Sequence, residues 1–180
     1  MDIKFEIYNN QTSKLCYLEN NSNQNIHRIS PKYIKWTYKN NDYLIYPEKP
    51  GRALFIGNDY ILIQHRGKTF HPRIDYIILY DFKANIKYKI EPPILKTKEL
   101  NPEYKNFNGS FNGFKRLDRI NEDSPYEISI DNENHVLVCL YDKKHGTPLD
   151  DRAGKLNELQ ALNIRTGKFH NSWCKFYDRL

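Results

Sequence analysis

The chain has 180 residues, of which 28% are charged, 39% hydrophobic and 14% aromatic, and it carries a formal net charge of +6. That length suits one domain over residues 1–180 and buries a core without help from disulfides or metal. No run reaches membrane-span length, and Met1–Phe5 lacks a basic-then-apolar signal pattern. The expectation is a cytoplasmic chain with no membrane partner. Cys16, Cys139 and Cys174 are widely spaced and form no CxxC pair, which gives neither a disulfide framework nor a zinc site. The expectation is therefore no metal and no other cofactor.

In chain order, Ile3–Tyr8 alternates as a strand, Asn9–Ser13 turns, and Lys14–Leu18 returns beside it. Glu19–Asn25 is a polar loop. In Tyr33–Tyr38, the residues Tyr33, Lys35 and Thr37 alternate with Ile34, Trp36 and Tyr38. Lys39–Asp42 is a hairpin turn and Tyr43–Tyr46 completes the pair. Pro47 and Pro50 break the pattern.

Ala53–Ile56 opens the central stretch, Gly57–Asp59 turns, and Tyr60–Gln64 is rich in β-branched and aromatic residues. A basic loop, His65–Arg73, leads to a second strong strand, Asp75–Asp81. Phe82–Asn85 turns, and Ile86–Ile90 alternates as a strand with one wet face until Pro92-Pro93 stops it. The following segment carries a near-duplicated Phe-Asn-Gly, for which Asn-Gly predicts tight turns and Phe107, Phe111 and Phe114 predict anchoring on the core. Lys115–Ile120 fits a short helical turn or an edge strand.

Tyr126–Ile130, a turn at Asp131–Asn134, His135–Tyr141, a polar loop Asp142–Lys155, Leu159–Asn163, a turn at Arg165–Gly167 and Lys168–Trp173 repeat the earlier order. The one helical period, Ala153, Leu156, Leu159 and Leu162, competes with this strand assignment. The predicted fold class is all-β, built of antiparallel meanders. These are blade-like, propeller-type four-strand units or a two-sheet sandwich, with little helix and an internal repeat of 51–91 in 126–174. Two or three blades do not close a ring, so the blade form requires dimerisation and the sandwich form does not.

Both long loops join the second strand of a unit to the third, which predicts a shared binding edge made of His65, Arg66, Lys68, His71, Arg73, Lys143, Lys144, His145 and Arg152. Three functions fit. The chain carries no phosphate loop, Rossmann fingerprint, nucleophile elbow or HExxH. A non-enzymatic protein-binding module of the immunity or inhibitor kind needs no such signature, only complementary shape and charge toward a protein partner with an acidic face. The alternative is a nucleic-acid-binding module that stacks bases on Tyr33, Tyr38, Tyr43, Phe70 or Tyr88 and holds phosphates with the loops. The second alternative is metal-free RNA cleavage, with His65 or His71 paired with His145 as base and acid and Lys68 on the phosphate. No residue is assigned as catalytic or metal-binding.

Overall fold

The computed structural model describes residues 4–9, 14–18, 31–45, 50–56, 60–65, 76–106, 108–115, 117, 126–141 and 157–177, and among them there is no helix. All strand pairings among these residues are antiparallel and none of the sheets closes into a barrel. The chain divides into two compact units, Met1–Ile90 and Glu91–Leu180.

In the first unit, β1 (Lys4–Asn9), β2 (Lys14–Leu18), β3 (Pro31–Tyr38) and β4 (Asn41–Ile45) form a sheet ordered β2-β1-β3-β4. β5 (Pro50–Ile56), β6 (Tyr60–His65), β7 (Tyr76–Asp81) and β8 (Ile86–Ile90) follow as a meander in chain order. The alternation in β3 sorts the faces as predicted. Ile34 and Trp36 are buried, while Lys35 and Thr37 reach Asp42 across the hairpin at 2.8 and 2.7 Å. The Lys35 and Thr37 contacts hold the Asp42 carboxyl below the usual aspartate range. The hairpin turn is Lys39-Asn40, with φ of 51° and 63°, the pair of left-handed residues that a type I′ turn requires.

The two sheets of this unit share one apolar cluster. Ile34 and Trp36 of β3 meet Ile61 and Ile63 of β6, Ile78 and Tyr80 of β7, and Phe82. The Trp36 indole N–H donates to the Phe82 carbonyl at 2.7 Å, which ties β3 to the β7–β8 turn. Leu62, Ile77 and Leu79, which point the other way, are also fully buried. Strands buried on both faces need apolar side chains at every position, which accounts for the unbroken runs in β6 and β7.

β8 departs from expectation: it has no dry face over 86–89. Its register against β7 shifts between Leu79 and Tyr80, so Ile86 pairs with Tyr80 and Tyr88 pairs with Leu79. Lys87 is the extra residue of a bulge, which breaks the period of two and sends Ile86 and Tyr88 to opposite faces. Ile86 is left 61% exposed and Tyr88 37%.

The β7–β8 turn is built on one carboxylate. Asp81 Oδ1 accepts the N–H groups of Lys83 and Asn85, both at 2.9 Å, and Oδ2 accepts the Asn85 amide at 3.0 Å. Burial alone would raise the Asp81 pKa. The Asn85 and Lys83 hydrogen bonds and the Lys87 charge outweigh it and lower it below the ordinary value. Ala84 sits in this turn at φ 61°, a conformation that costs a residue with a Cβ about 1–2 kcal/mol. Ala84→Gly removes that cost against the entropy glycine adds to the unfolded chain. The expected result in urea titration is a stabilisation of about 0.5–1 kcal/mol.

In the second unit, β10 (Glu127–Ile130), β11 (Glu133–Tyr141), β12 (Asn157–Asn163) and β13 (Phe169–Tyr177) form a meander, and β9 (Ser110–Phe114) also pairs with β11. β10 lies against 133–136 and β9 against 138–141, so the two share one edge of β11 in succession. The turn Asp131-Asn132, with φ of 52° and 61°, repeats the type I′ geometry, and β11 begins at Glu133 rather than at His135. The turn after β12 repeats the Asx device: Asn163 Oδ1 accepts the N–H groups of Arg165 and Thr166, and Gly167 takes φ 69°.

The second Asn-Gly, expected as a turn, is a bulge. Gly113 has φ 89°, and Asn112-Gly113 together stand against Cys139. The extra residue puts Phe111 and Phe114, three apart, on the same face, where both are buried as anchors. Phe107 lies outside the described residues.

β12 is a strand from Asn157, so the helical period does not prevail over Asn157–Leu162. It carries Glu158 and Gln160 fully buried on the face of Val138 and Leu140. Glu158 accepts the backbone N–H of Lys96 at 3.0 Å and of Thr97 at 2.8 Å, and Gln160 donates to the Ile94 carbonyl at 2.7 Å. Segment 94–97 is thereby strapped across the sheet. Leu95 is packed so closely on Gly109 that a Cβ there would stand 2.7 Å from its Cδ2.

Candidate functional site

Of the residues predicted to bind, the structure describes only His65; Arg66, Lys68, His71, Arg73, Lys143, Lys144, His145 and Arg152 lie outside the described residues. His65 is not a loop residue. It ends β6, is 6% exposed, and stacks on Tyr76 at 5.0 Å with 11° between the rings. Its Nε2 stands 3.5 Å from the Tyr80 hydroxyl. In this position His65 closes the end of the core.

Burial, with Tyr76 adding to it, pushes the Tyr80 phenol up to about 12. A phenol raised in the folded state contributes its full stability below its unfolded pKa of 10.0 and loses it as pH rises toward 12. Tyr80→Phe removes this group. The unfolding free energy, followed from pH 9 upward, is expected to fall by about 2 kcal/mol less by pH 12 in the variant than in the unsubstituted protein.

The other described histidines also serve the fold. His135 donates from Nδ1 to the Glu133 carbonyl at 2.9 Å. His170 accepts the Trp173 N–H on Nδ1 at 3.0 Å, so its Nε2 carries the proton shared with Asp131 at 3.2 Å. His170 therefore has its basic nitrogen occupied by a backbone N–H and offers no lone pair for a substrate proton. Among the described residues, no group of three or more His, Cys, Asp and Glu side chains is placed to hold a metal ion.

A different place has the character of a binding site. At the opposite end of β6 and β7 from His65, about 17 Å away along the strands, a cleft of about 290 Å³ opens in the first unit. Its walls are Tyr38 from the end of β3, Tyr60 from the start of β6, and the Asp81, Phe82, Lys83, Asn85 and Lys87 groups of the turn and β8. Each wall has a structural cause. Tyr38 packs on the Phe82 ring at 5.5 Å and carries the Lys39 ammonium over its own ring at 5.3 Å. Phe82 is held through its carbonyl by Trp36, and the turn is held by Asp81. The bulge projects Lys87, whose ammonium stands 3.7 Å from Asp81 Oδ2. Beyond the turn, Ile86 and Tyr88 are exposed on opposite faces of β8, and Lys89 lies over the Tyr76 ring at 4.6 Å.

Phe82–Asn85 is recognisable as a turn in the sequence, but nothing in a linear reading brings Tyr38 and Tyr60 to it. The signal that was present is the IKYKI run, whose lysines and exposed apolar groups mark an edge strand.

Comparisons with protein-family models, with curated proteins and with solved structures find no match for the chain.

Proposed function

We propose that the chain is a non-enzymatic protein-binding module of the inhibitor or immunity kind, which neutralises a partner by covering an acidic surface of it. The observation that supports this reading is the turn end of the first unit. There Lys39, Lys83 and Lys87 surround an aromatic-walled cleft beside exposed Ile86 and Tyr88. Aromatic and apolar contact area ringed by charge is the make-up of a protein interface. The net charge of +6 favours an acidic counterpart and speeds the encounter.

The test is a tagged pull-down from the native host at moderate salt, on nuclease-treated and untreated halves. One stoichiometric protein that survives nuclease is the expected result. Combined Lys83→Glu and Lys87→Glu should weaken its capture by about 10–100-fold, since like charge against an acidic face costs several kcal/mol. Recovery of nucleic acid, lost on nuclease treatment or at high salt, would overturn the reading in favour of a phosphate-binding role. Changing Arg66, Arg73 or Arg152 separates the turn-end surface from the basic loops as the contact. On this proposal those changes have the smaller effect.

A further inference from the structure

We infer that the cleft at the Asp81 turn is the seat for a single carboxylate side chain of the acidic partner, an inference that rests on the protein-binding reading above. The charges come first. Two of the lining side chains, Lys83 and Lys87, are cationic, and Lys39 flanks them on the Tyr38 ring. The one acid in the lining, Asp81, is already engaged by two backbone N–H groups and the Asn85 amide. Lys83 has no ion pair among the described residues. Lys87 meets Asp81 only at 3.7 Å, and an ammonium has three donors, so both lysines can serve an incoming anion.

The same turn argues against phosphate. Successive backbone N–H groups at a turn make a nest for a multiply charged anion. Here the N–H groups of Lys83 and Asn85 are consumed by Asp81 Oδ1. The standing charge of Asp81 repels a dianion more than a monoanion. At about 290 Å³ the space lies at the small end for an organic ligand and fits a side chain. The Tyr38, Tyr60 and Phe82 groups would pack its methylene stem. The Trp36 and Asp81 hydrogen bonds fix the walls in advance, so little ordering is needed on binding.

The test is an NMR titration of the full isotope-labelled chain with three probes: a blocked glutamate tripeptide, its glutamine analogue, and inorganic phosphate. The expected result is saturable shifts at the backbone N–H groups of 82–88 and at the Lys83 and Lys87 ammonium groups with the glutamate peptide. The glutamine analogue should give none, and phosphate should need about tenfold more. Lys83→Gln and Lys87→Gln, both exposed changes that leave the core intact, should each weaken the glutamate response severalfold. Equal shifts with glutamine, or saturation by phosphate at the lower concentration, overturn the inference. So does a silent turn in a chain that still captures its protein partner, a result that leaves the protein-binding reading standing. Failure to capture any protein overturns that reading instead, and the titration reports on the cleft independently of it.

Discussion

Trp36→Ala is expected to destabilise the protein by about 3–5 kcal/mol, the range for deleting a large buried aromatic side chain. Trp36 is fully buried and belongs to the cluster that joins β3 to β6 and β7, so its removal opens a cavity between the two sheets. Its indole also supplies the donor for the Phe82 carbonyl at 2.7 Å. Trp36→Phe separates the two contributions. It keeps much of the packing and removes the indole donor to the Phe82 carbonyl, with an expected cost of about 0.5–1.5 kcal/mol for the lost hydrogen bond. Because Phe82 is a wall of the cleft, this milder variant should also lose partner affinity while remaining folded. A wild-type denaturation midpoint for Trp36→Phe would mean that the hydrogen bond contributes nothing.

Glu158→Leu is expected to cost about 3 kcal/mol or more, from several buried donors that each lose an acceptor worth about 1–3 kcal/mol. The carboxylate is fully buried and takes the N–H groups of Lys96 and Thr97 together with the Gln160 amide. Among the described residues those two N–H groups have no other acceptor, and leucine offers none. The Lys96 ammonium holds the same segment from another side by donating to the His170 carbonyl at 2.6 Å. Hydrogen exchange gives the specific readout: the Lys96 and Thr97 amides should be protected in the unsubstituted chain and exchange rapidly in Glu158→Leu. Equal protection in both would show that the strap is held by the packing of Leu95 and Leu100 instead.

The contrast between these two residues shows what a linear pattern carries. Trp36 and Ile34 announce themselves through alternation, since side-chain direction in a strand repeats every two residues, and Ile61, Ile63 and the cores of β7 and β11 through continuous apolar runs that mark strands buried on both faces. The type I′ turns at Lys39-Asn40 and Asp131-Asn132 are legible for the same local reason: asparagine and aspartate tolerate left-handed φ. Glu158 and Gln160 read as polar interruptions, because their partners sit in a segment some sixty residues earlier. The bulges at Lys87 and Gly113 are also silent in the pattern, since each depends on the register against a neighbouring strand. At the candidate site, the lysines of β8 were visible as charge. Their convergence with Tyr38 and Tyr60 is a product of the stacking of two sheets, and His65, the one predicted site residue described, lies in a strand and not in the loop because β6 runs one residue past Gln64.

The most direct test of the turn end as the partner-binding surface is hydrogen exchange on the complex with the captured partner, compared with the free chain. Protection on binding is expected to concentrate on the β7–β8 turn, β8 and the β3–β4 turn, and to disappear in the Lys83→Glu, Lys87→Glu variant. Protection confined to the second unit, with residues 82–90 exchanging as they do in the free chain, would contradict that assignment.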